Sequence, residues 1–447
     1  MAHKTKIGET IYEITGGRTK IGDTAYEIIG GKTKIGDTVY DISFGANIEN
    51  GFDGVTVSLY NVCQQTPHYV NDTFFILPHS YTYGDPYWSK DGKTWTKIQP
   101  YNQNDGVLSS IVYGNGVYVI GGLQIGRYSY DLTTWTTCTN WSTSTNVRSG
   151  NVVFGNGIFL RGTCAQASSY YQYSTDGITW TSANLPASSY GSEGFGPIYF
   201  TNGKFFVAGR SGGSSTRKIL TSTNGTSWSV VGTFTDSSNV DSPIVYGNGV
   251  YVQMTAQYAY SSTNGTTWTQ TLLEQYASGS TTVPVNPMNP SAGTTTVTMY
   301  SYYHDHSNIV YANGMFVSGK TCSTDGKTWN NSKITYPFSA GAASTASTAT
   351  AGYPSSANLG VANDYFVVSE YANIYKTAPL HYAFSTDCVN WTTGEFPFPV
   401  TTATTVSYTG PWSKIIYGND IYLAVELGTN RIETDPYCGS GAVAIIE

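Results

Sequence analysis

Short apolar runs recur along most of this chain, and tight-turn signals separate them. The unit is clearest between 244 and 271, in the order Ile244-Val245-Tyr246, Gly247-Asn248-Gly249, Val250-Tyr251-Val252, Tyr258-Ala259-Tyr260-Ser261, Thr263-Asn264-Gly265 and Thr267-Trp268-Thr269. Asn-Gly and Asp-Gly between apolar runs are the strongest short signals for a β-hairpin. The pattern therefore predicts two hairpins in series, which form one four-stranded antiparallel sheet.

Two turn motifs mark this unit along the chain. A Tyr/Phe-Gly-Asn-Gly tetrad, or a close variant with Ala in the second place, occurs at 113–116, 154–157, 246–249 and 311–314, with weaker copies around Asn71, Asn202, Asn363 and Asn419. A Ser-x-Asp-Gly-x-Thr-Trp motif or a variant of it occurs at 89–95, 129–135, 174–180, 222–228, 262–268, 323–329 and 385–391. A repeat of about 40–60 residues indicates an array of like units, and a ring of four-stranded sheets is a β-propeller.

The number of first hairpins gives the number of blades. Eight first hairpins and seven Trp motifs predict an all-β propeller of eight blades, with seven as the alternative. In the eighth unit, Arg431-Ile432-Glu433-Thr434 and Ala442-Val443-Ala444-Ile445-Ile446 look like a degenerate second hairpin. In the seven-blade alternative, strands from both chain ends share one blade.

A different repeat occupies the N-terminus. Thr-Lys-Ile-Gly-Glu/Asp-Thr recurs every 14 residues from Thr5, Thr19 and Thr33, and Tyr-Glu/Asp-Ile follows each copy. We predict a short β-hairpin repeat segment over 1–44, a linker with one strand over 45–68, and the propeller over 69–447. Such a ribbon is marginal alone, so we expect it to serve attachment or multimerisation.

Composition excludes several classes of function. The 447 residues include 22 Lys and Arg against 29 Asp and Glu, and no basic run is present, which disfavours nucleic-acid binding. We expect no signal peptide, because no apolar region follows the first five residues, and no transmembrane helix, because no apolar stretch is long enough. The six cysteines show no CxxC pairing, so we expect reduced core thiols, with a disulfide framework as the alternative.

The Ser-x-Asp-Gly-x-Thr-Trp motif resembles the Asp-box repeat of sialidases, sortilin-type receptors and other propellers. This resemblance implies a structural role for the Asp or Asn, which would cap its own turn, and for the Trp, which would pack between blades. The residues concerned are Asp91, Asp131, Asp176, Asn224, Asn264, Asp325 and Asp387. These copies lack one residue usually found between Asp and Gly, and Leu132 and Cys388 replace the Gly.

Both tight turns of a blade point to one face, so the longer connections lie on the other. Rigid frames carry function on such variable loops. The longest connections are 272–308 and 331–358, and aromatic residues there suit recognition of sugars or protein surfaces. The candidate binding residues are Trp141, Tyr190, Tyr276, Tyr300, Tyr302, Tyr303, His304, His306, Tyr353, Tyr408 and Trp412. The alternative is that these rings only hold long loops in place.

Catalytic chemistry has weaker sequence support. The chain has seven Arg and lacks the Arg-Ile-Pro signature that resembles the first sialidase arginine. A general glycosidase needs two facing carboxylates, for which Glu193, Glu274, Glu370 and Glu395 are candidates that sequence cannot pair. His304-Asp305-His306 lacks a third metal ligand, so we expect no metal and no cofactor.

The sequence thus favours a non-enzymatic virion or tail structural protein, or an adhesin that displays the propeller. The N-terminal repeat loosely resembles Gly-turn β-repeats of bacteriophage tail and virion proteins. The partners this implies are other virion or tail proteins through 1–44, further copies of the chain, and a host surface glycan or protein. We expect no nucleic-acid partner, no membrane insertion, and a chain made in the host cytoplasm. A glycan-processing hydrolase and a protein-interaction scaffold are the alternatives.

Overall fold

The computed structural model describes only part of the chain. The described residues are 3–7, 10–15, 18–21, 24–27, 32–35, 38–41, 55–60, 65–78, 85–99, 108–142, 151–162, 170–186, 195–210, 215–236, 242–255, 257–273, 279–284, 294–299, 308–319, 321–330, 334, 337, 359–369, 381–395, 415–425 and 441–446. Every regular element within these ranges is a β-strand, as the hairpin signals predict. No helix in this part of the chain could cross a membrane.

The chain forms two compact units, Met1–Asn50 and Gly51–Glu447. The strands of the first unit are β1 (His3–Ile7), β2 (Thr10–Thr15), β3 (Arg18–Ile21), β4 (Thr24–Glu27), β5 (Lys32–Ile35) and β6 (Thr38–Asp41). β1 to β4 form one antiparallel sheet in chain order, and β5 pairs with β6. This confirms the predicted segment of short hairpins.

The second unit is built from repeated four-stranded sheets. Its strands in chain order are β7 (Val55–Tyr60), β8 (Gln65–Tyr69), β9 (Phe74–Pro78), β10 (Tyr87–Ser89), β11 (Thr96–Lys97), β12 (Leu108–Gly114), β13 (Val117–Gly122), β14 (Gly126–Ser129), β15 (Thr136–Thr137), β16 (Val152–Gly155), β17 (Ile158–Gly162), β18 (Tyr170–Ser174), β19 (Thr181–Asn184), β20 (Phe195–Thr201), β21 (Lys204–Arg210), β22 (Thr216–Ser222), β23 (Ser229–Thr235), β24 (Val245–Gly247), β25 (Val250–Met254), β26 (Tyr258–Ser262), β27 (Thr269–Leu272), β28 (Gly279–Pro284), β29 (Thr294–Met299), β30 (Val310–Ala312), β31 (Met315–Ser318), β32 (Thr321–Ser323), β33 (Leu359–Ala362), β34 (Tyr365–Ser369), β35 (His381–Ser385), β36 (Thr392–Glu395), β37 (Ile416–Gly418), β38 (Ile421–Val425) and β39 (Gly441–Ile446).

These strands make eight blades. Blades 1 to 5 are β8–β11, β12–β15, β16–β19, β20–β23 and β24–β27, blade 6 is β30–β32, blade 7 is β33–β36, and blade 8 is β37–β39 with β7. The first strands of neighbouring blades contact one another, except that blades 4 and 5 meet through Phe206 and Tyr251 of their second strands. β8 of blade 1 contacts both β12 of blade 2 and β37 of blade 8. The ring is therefore closed, and the prediction of an eight-blade propeller is confirmed.

Blade 8 closes the ring with strands from both ends of the chain. β39 pairs with β38 on one side and with β7 on the other. The sequence predicted that a degenerate second hairpin, formed by 431–434 and 442–446, would complete this blade. That prediction is wrong for the fourth strand, because β7 supplies it. Sharing of one blade between the chain ends was expected only for seven blades, but it occurs here with eight.

The long connection between blades 5 and 6 is partly regular. Within the stretch 272–308, β28 and β29 form a separate two-stranded antiparallel sheet. This hairpin is an addition to the repeating blade, because it pairs with no other described strand.

The hydrophobic core lies between the blades. Val117 and Val119 of blade 2, for example, pack with Phe159 and Trp180 of blade 3. Second strands such as β13 and β17 are buried along their whole length, whereas fourth strands such as β15 are exposed. Each blade thus buries an apolar surface only against its neighbour, which makes the closed ring the unit of stability.

The first turn of each blade has the geometry that Asn-Gly predicts. In blade 2, Asn115 has φ 49° and Gly116 has φ 81°. Positive φ at both central residues is the type I′ turn, which matches the twist of the flanking strands. The preceding Gly114 serves a different purpose, since a Cβ there would lie 2.4 Å from the Phe154 ring of blade 3.

Candidate functional site

The two faces of the propeller have different kinds of connection. We call the side with the first and third turns of each blade the turn face, and the opposite side the loop face. In an antiparallel sheet these two turns lie at the same end, so the loop face receives every other connection. The chemistry of each face follows from the residues that line it.

The acidic residue of each Trp motif on the turn face is used by its own turn. In blade 1 the N–H groups of Lys93 and Thr94 donate to Asp91 Oδ1 at 2.9 and 2.7 Å, and Ser89 Oγ donates to the same atom at 2.9 Å. The same pair of backbone bonds reaches Asp131, Asp176, Asn224, Asn264, Asp325 and Asp387. These side chains fix turns and leave little capacity for catalysis.

The charge state of these carboxyls agrees with a structural role. The backbone N–H of Thr94 is the largest influence on Asp91 and, against partial desolvation, lowers its pKa to about 2. A carboxyl that stays ionised at neutral pH is a poor proton donor. These carboxyls of the turn face therefore have a structural role.

Two turns use a residue with a side chain where the others have Gly. Leu132 has φ 67° and Cys388 has φ 57°, both in the left-handed region. Leu132 packs with Phe75 and Leu77 of the preceding blade, and Cys388 packs with Val317 and Cys322 of the preceding one. Apolar packing between blades offsets the backbone strain at these sites.

Trp141, the candidate binding residue that falls within the described residues, is not on an exposed surface. Its side chain is 8% exposed and packs edge-on to Trp180, with ring centroids 4.9 Å apart. The Arg161 guanidinium lies over the same indole, 4.1 Å from the ring centroid. The expectation that Trp141 binds a ligand is therefore wrong, because the Arg161 guanidinium and the Trp180 ring pack against its indole.

The other candidate binding residues lie outside the described residues. They are Tyr190, Tyr276, Tyr300, Tyr302, Tyr303, His304, His306, Tyr353, Tyr408 and Trp412. Among the side chains that the structure does describe, no group of three or more His, Cys, Asp or Glu is placed to hold a metal ion. Three cysteines within the described ranges, Cys138, Cys322 and Cys388, are buried and form no disulfide.

Arg161 joins blades 2 and 3 near the loop face. It is fully buried, and Nη1 donates to Gln172 Oε1 at 2.8 Å and to the Ser142 carbonyl at 3.2 Å. Nη2 donates to the carbonyls of Gly122 at 3.1 Å and Leu123 at 2.9 Å. Desolvation lowers the pKa of Arg161 to about 10, so it remains charged. Its terminal N–H groups are saturated, which makes it an inter-blade clamp.

A second buried network joins blades 4 and 5. Arg217 Nε lies 3.1 Å from Asp236 Oδ2, with both side chains fully buried. Tyr260 of blade 5 donates its hydroxyl to the same carboxylate oxygen at 2.8 Å. Burial raises the pKa of Tyr260 far above its ordinary value, so the phenol stays protonated as a donor. Sequence reasoning missed this network because its members lie 19 and 24 residues apart.

An imidazole and a carboxylate meet on the loop face of blade 7. His381 opens β35 and Glu395 closes β36, and the two are direct cross-strand partners. His381 Nε2 lies 3.5 Å from Glu395 Oε1, and the side chains are 34% and 62% exposed. Glu395 was one of the four candidate carboxylates, whereas His381 carried no sequence signal.

Blade 1 has a counterpart of this pair. Lys97 Nζ lies 2.6 Å from Asp85 Oδ2, again where the third strand begins and the fourth ends. A lysine and a carboxylate at this position form an ordinary ion pair. The comparison sets blade 7 apart, because it places an imidazole where blade 1 has a lysine-carboxylate pair.

Known proteins resemble this chain in fold only. No protein-family model matches the sequence, and no curated protein matches it. Virginiamycin B lyase from Staphylococcus aureus is 9% identical, with 88% of this chain and 100% of that one covered and a TM-score of 0.42. A prolyl endopeptidase structure is 10% identical, with 85% and 55% covered and a TM-score of 0.46. PorZ, a surface component of the type-IX secretion system of Porphyromonas gingivalis, is 11% identical, with 98% and 68% covered and a TM-score of 0.39.

Two of the three neighbours are enzymes by name, so they lend no support to the expectation of a non-enzymatic virion or tail protein or adhesin. At such identities the likeness is one of fold, and substrate and mechanism do not carry over. Any chemistry of this chain must be argued from its own residues.

Proposed function

We propose that this chain is a hydrolase or lyase that uses the propeller as its scaffold and the loop face as its working surface. The pair that His381 and Glu395 form there carries the proposal. An imidazole held by a carboxylate is a common general acid or base, and both groups are open to solvent. Elsewhere in the ring, buried networks around Arg161 and Asp236 hold blade 2 to blade 3 and blade 4 to blade 5, which makes the scaffold rigid.

We propose a glycan as the substrate class. The connections of the loop face are rich in Tyr, and aromatic rings pack well on sugar faces. Hydrolysis of a glycosidic bond uses two carboxyl groups, so Glu395 would act with a second one. A lyase acting on an acidic glycan would instead use His381 as the base that removes the proton next to the sugar carboxyl group. A C=C bond then forms as the glycosidic C–O bond breaks, and the departing oxygen takes up a proton.

The test is a screen of the full chain against neutral and acidic polysaccharides and chromogenic glycosides. New reducing ends without ultraviolet absorbance indicate hydrolysis, and new ends with the absorbance of an unsaturated product indicate a lyase. We expect His381→Asn and Glu395→Gln each to lower kcat at least about 100-fold. The matched control is Asp85→Asn, which removes the corresponding pair of blade 1 and should leave kcat unchanged. Absence of turnover, or equal turnover in all variants, contradicts the proposal.

We also propose that the seven Trp motifs are an Asp-box-like repeat. The identical capping bonds at Asp91 and its six counterparts support this, together with the placement of the Trp side chains between blades. Replacing Asp176 by Ala should then lower the free energy of unfolding by about 1 kcal/mol and leave turnover intact. Loss of turnover in a stably folded Asp176→Ala protein would count against a purely structural role.

A further inference from the structure

The three hairpins of the N-terminal unit are equivalent in register. In each hairpin a threonine of the first strand is the cross-strand partner of a tyrosine of the second. Thr5 pairs with Tyr12, Thr19 with Tyr26 and Thr33 with Tyr40. A basic residue faces an acidic one in each: Lys4 pairs with Glu13, Arg18 with Glu27 and Lys32 with Asp41. The 14-residue repeat therefore builds the same surface three times.

The register separates two faces, because successive residues of a strand alternate between them. Thr5, Ile7, Tyr12 and Ile14 share one face of the first hairpin, and the repeats add Ile21, Tyr26, Ile35 and Tyr40 in the same positions. The pairing of Ile14 with Thr19 continues this face from the first hairpin into the second. We call it the Ile/Tyr face, and the third hairpin, which is a separate two-stranded sheet, carries Ile35 and Tyr40 on an equivalent face of its own. The opposite face carries the Lys–Glu type pairs.

The charge of this unit is balanced. Residues 1–44 contain six basic and six acidic residues, so the formal net charge of −7 belongs to the rest of the chain. A neutral surface offers no attraction to an anionic polymer or to a strongly charged protein. Two copies of this unit, however, would not repel each other through net charge.

We propose that the Ile/Tyr face is a self-association surface, occupied by the same face of a second copy of this chain. A ribbon of short strands with one apolar face is marginal in water until that face is covered. Two identical faces related by a two-fold axis cover each other isologously. Repetition favours this pairing, because each hairpin presents the same Ile and Tyr positions to its counterpart.

The experiment measures the mass of the full chain in solution by light scattering at tens of micromolar. We expect twice the chain mass of 48.3 kDa, or a higher multiple. The variant Ile7→Lys, Ile21→Lys, Ile35→Lys should fall to the mass of one chain. Lys6→Thr, Lys20→Thr, Lys34→Thr changes the same three strands on the opposite face and should keep the wild-type mass.

A second variant and a stability check guard against a folding defect. Tyr12→Ser, Tyr26→Ser, Tyr40→Ser should also give the mass of one chain, while tryptophan fluorescence reports unchanged thermal unfolding of the propeller. A wild-type mass of 48.3 kDa would show that the chain itself or a different protein covers the face, and would overturn the proposal. Retention of the multiple by both face variants would overturn it equally.

Discussion

The Nδ2 atom of Asn71 donates a hydrogen bond to the hydroxyl of Tyr118, 2.6 Å away in the next blade. Asn202 and Asn363 reach Tyr251 and Tyr422 in the same way. In the other five blades the corresponding Asn donates instead to backbone carbonyls of the next blade, as Asn115 does to Gly157 and Thr175.

A single sequence position decides between these two arrangements. The residue three places after each Asn is Tyr at 118, 251 and 422, and it is Phe at 74, 159, 205, 316 and 366. Wherever the next blade has Tyr, the Asn bonds to its hydroxyl, and wherever it has Phe, the Asn bonds to carbonyls. The turn face is thus held together by one ring of Asn side chains that adapt to their neighbour.

Removal of the Tyr118 hydroxyl should weaken the contact between blades 1 and 2. We expect Tyr118→Phe to lower the free energy of unfolding by about 1 kcal/mol at most, because Asn71 loses the hydroxyl but can turn to carbonyls of blade 2, as Asn115 does beside Phe159. Asn71→Gly keeps the positive φ of the turn and should cost a similar amount. In urea unfolding the double variant should cost less than the sum of the two single ones, and strict additivity would show that the bond contributes nothing.

Loss of the Arg161 clamp should be more severe. Arg161→Met leaves the carbonyls of Gly122, Leu123 and Ser142 without their donor, so we expect a loss of about 3–5 kcal/mol. Arg161→Lys keeps the charge but offers one nitrogen in place of two, and should lie between wild type and Met. Urea unfolding measures both variants, and a loss below about 1 kcal/mol for Met would contradict the clamp.

The buried pair of Arg217 and Asp236 should show strong coupling. Asp236→Leu alone leaves a buried guanidinium without its carboxylate, and we expect a loss of about 3–5 kcal/mol. The double variant Arg217→Met, Asp236→Leu removes both charges and should recover much of that loss. A double variant no better than the single one would show that another group compensates Arg217.

His68 should make the propeller sensitive to acid. It stands where other first strands carry Val112, Val153, Val245 and Val310, and its Nε2 is buried without a partner. Burial lowers the pKa of His68 from 6.5 to about 4. The unfolded chain therefore binds the proton more readily, so this stability is present above pH 6.5 and is lost as the pH falls toward 4.

His68→Val isolates that effect. The difference in unfolding free energy between wild type and variant should change by up to about 3 kcal/mol across this pH range, in favour of the variant at the acid end. Urea midpoints at several pH values measure it. A difference that stays flat between about pH 7 and pH 4 would show that His68 is not buried as a neutral ring.

Local and non-local features differ in how well the sequence predicts them. The Asn115-Gly116 and Asp91-Gly92 turns were predictable because their geometry follows from the residues themselves. Trp141 was misjudged because its burial depends on Arg161, 20 positions away, and on Trp180 in the next blade. The His381–Glu395 pair depends on strand register, which no local motif encodes.

Closure of the ring by the two chain ends is tested most directly with an engineered disulfide between β7 and β39. Ser58 and Val443 are cross-strand partners, although 385 positions separate them in the chain. In the full chain carrying Ser58→Cys and Val443→Cys, we expect mild oxidation to join the two introduced thiols. The bond should stabilise the protein by up to about 5 kcal/mol, seen as a rise in Tm that reduction reverses. If mass mapping finds no disulfide between the two substituted positions, or if the bond lowers Tm, blade 8 is not shared by the chain ends.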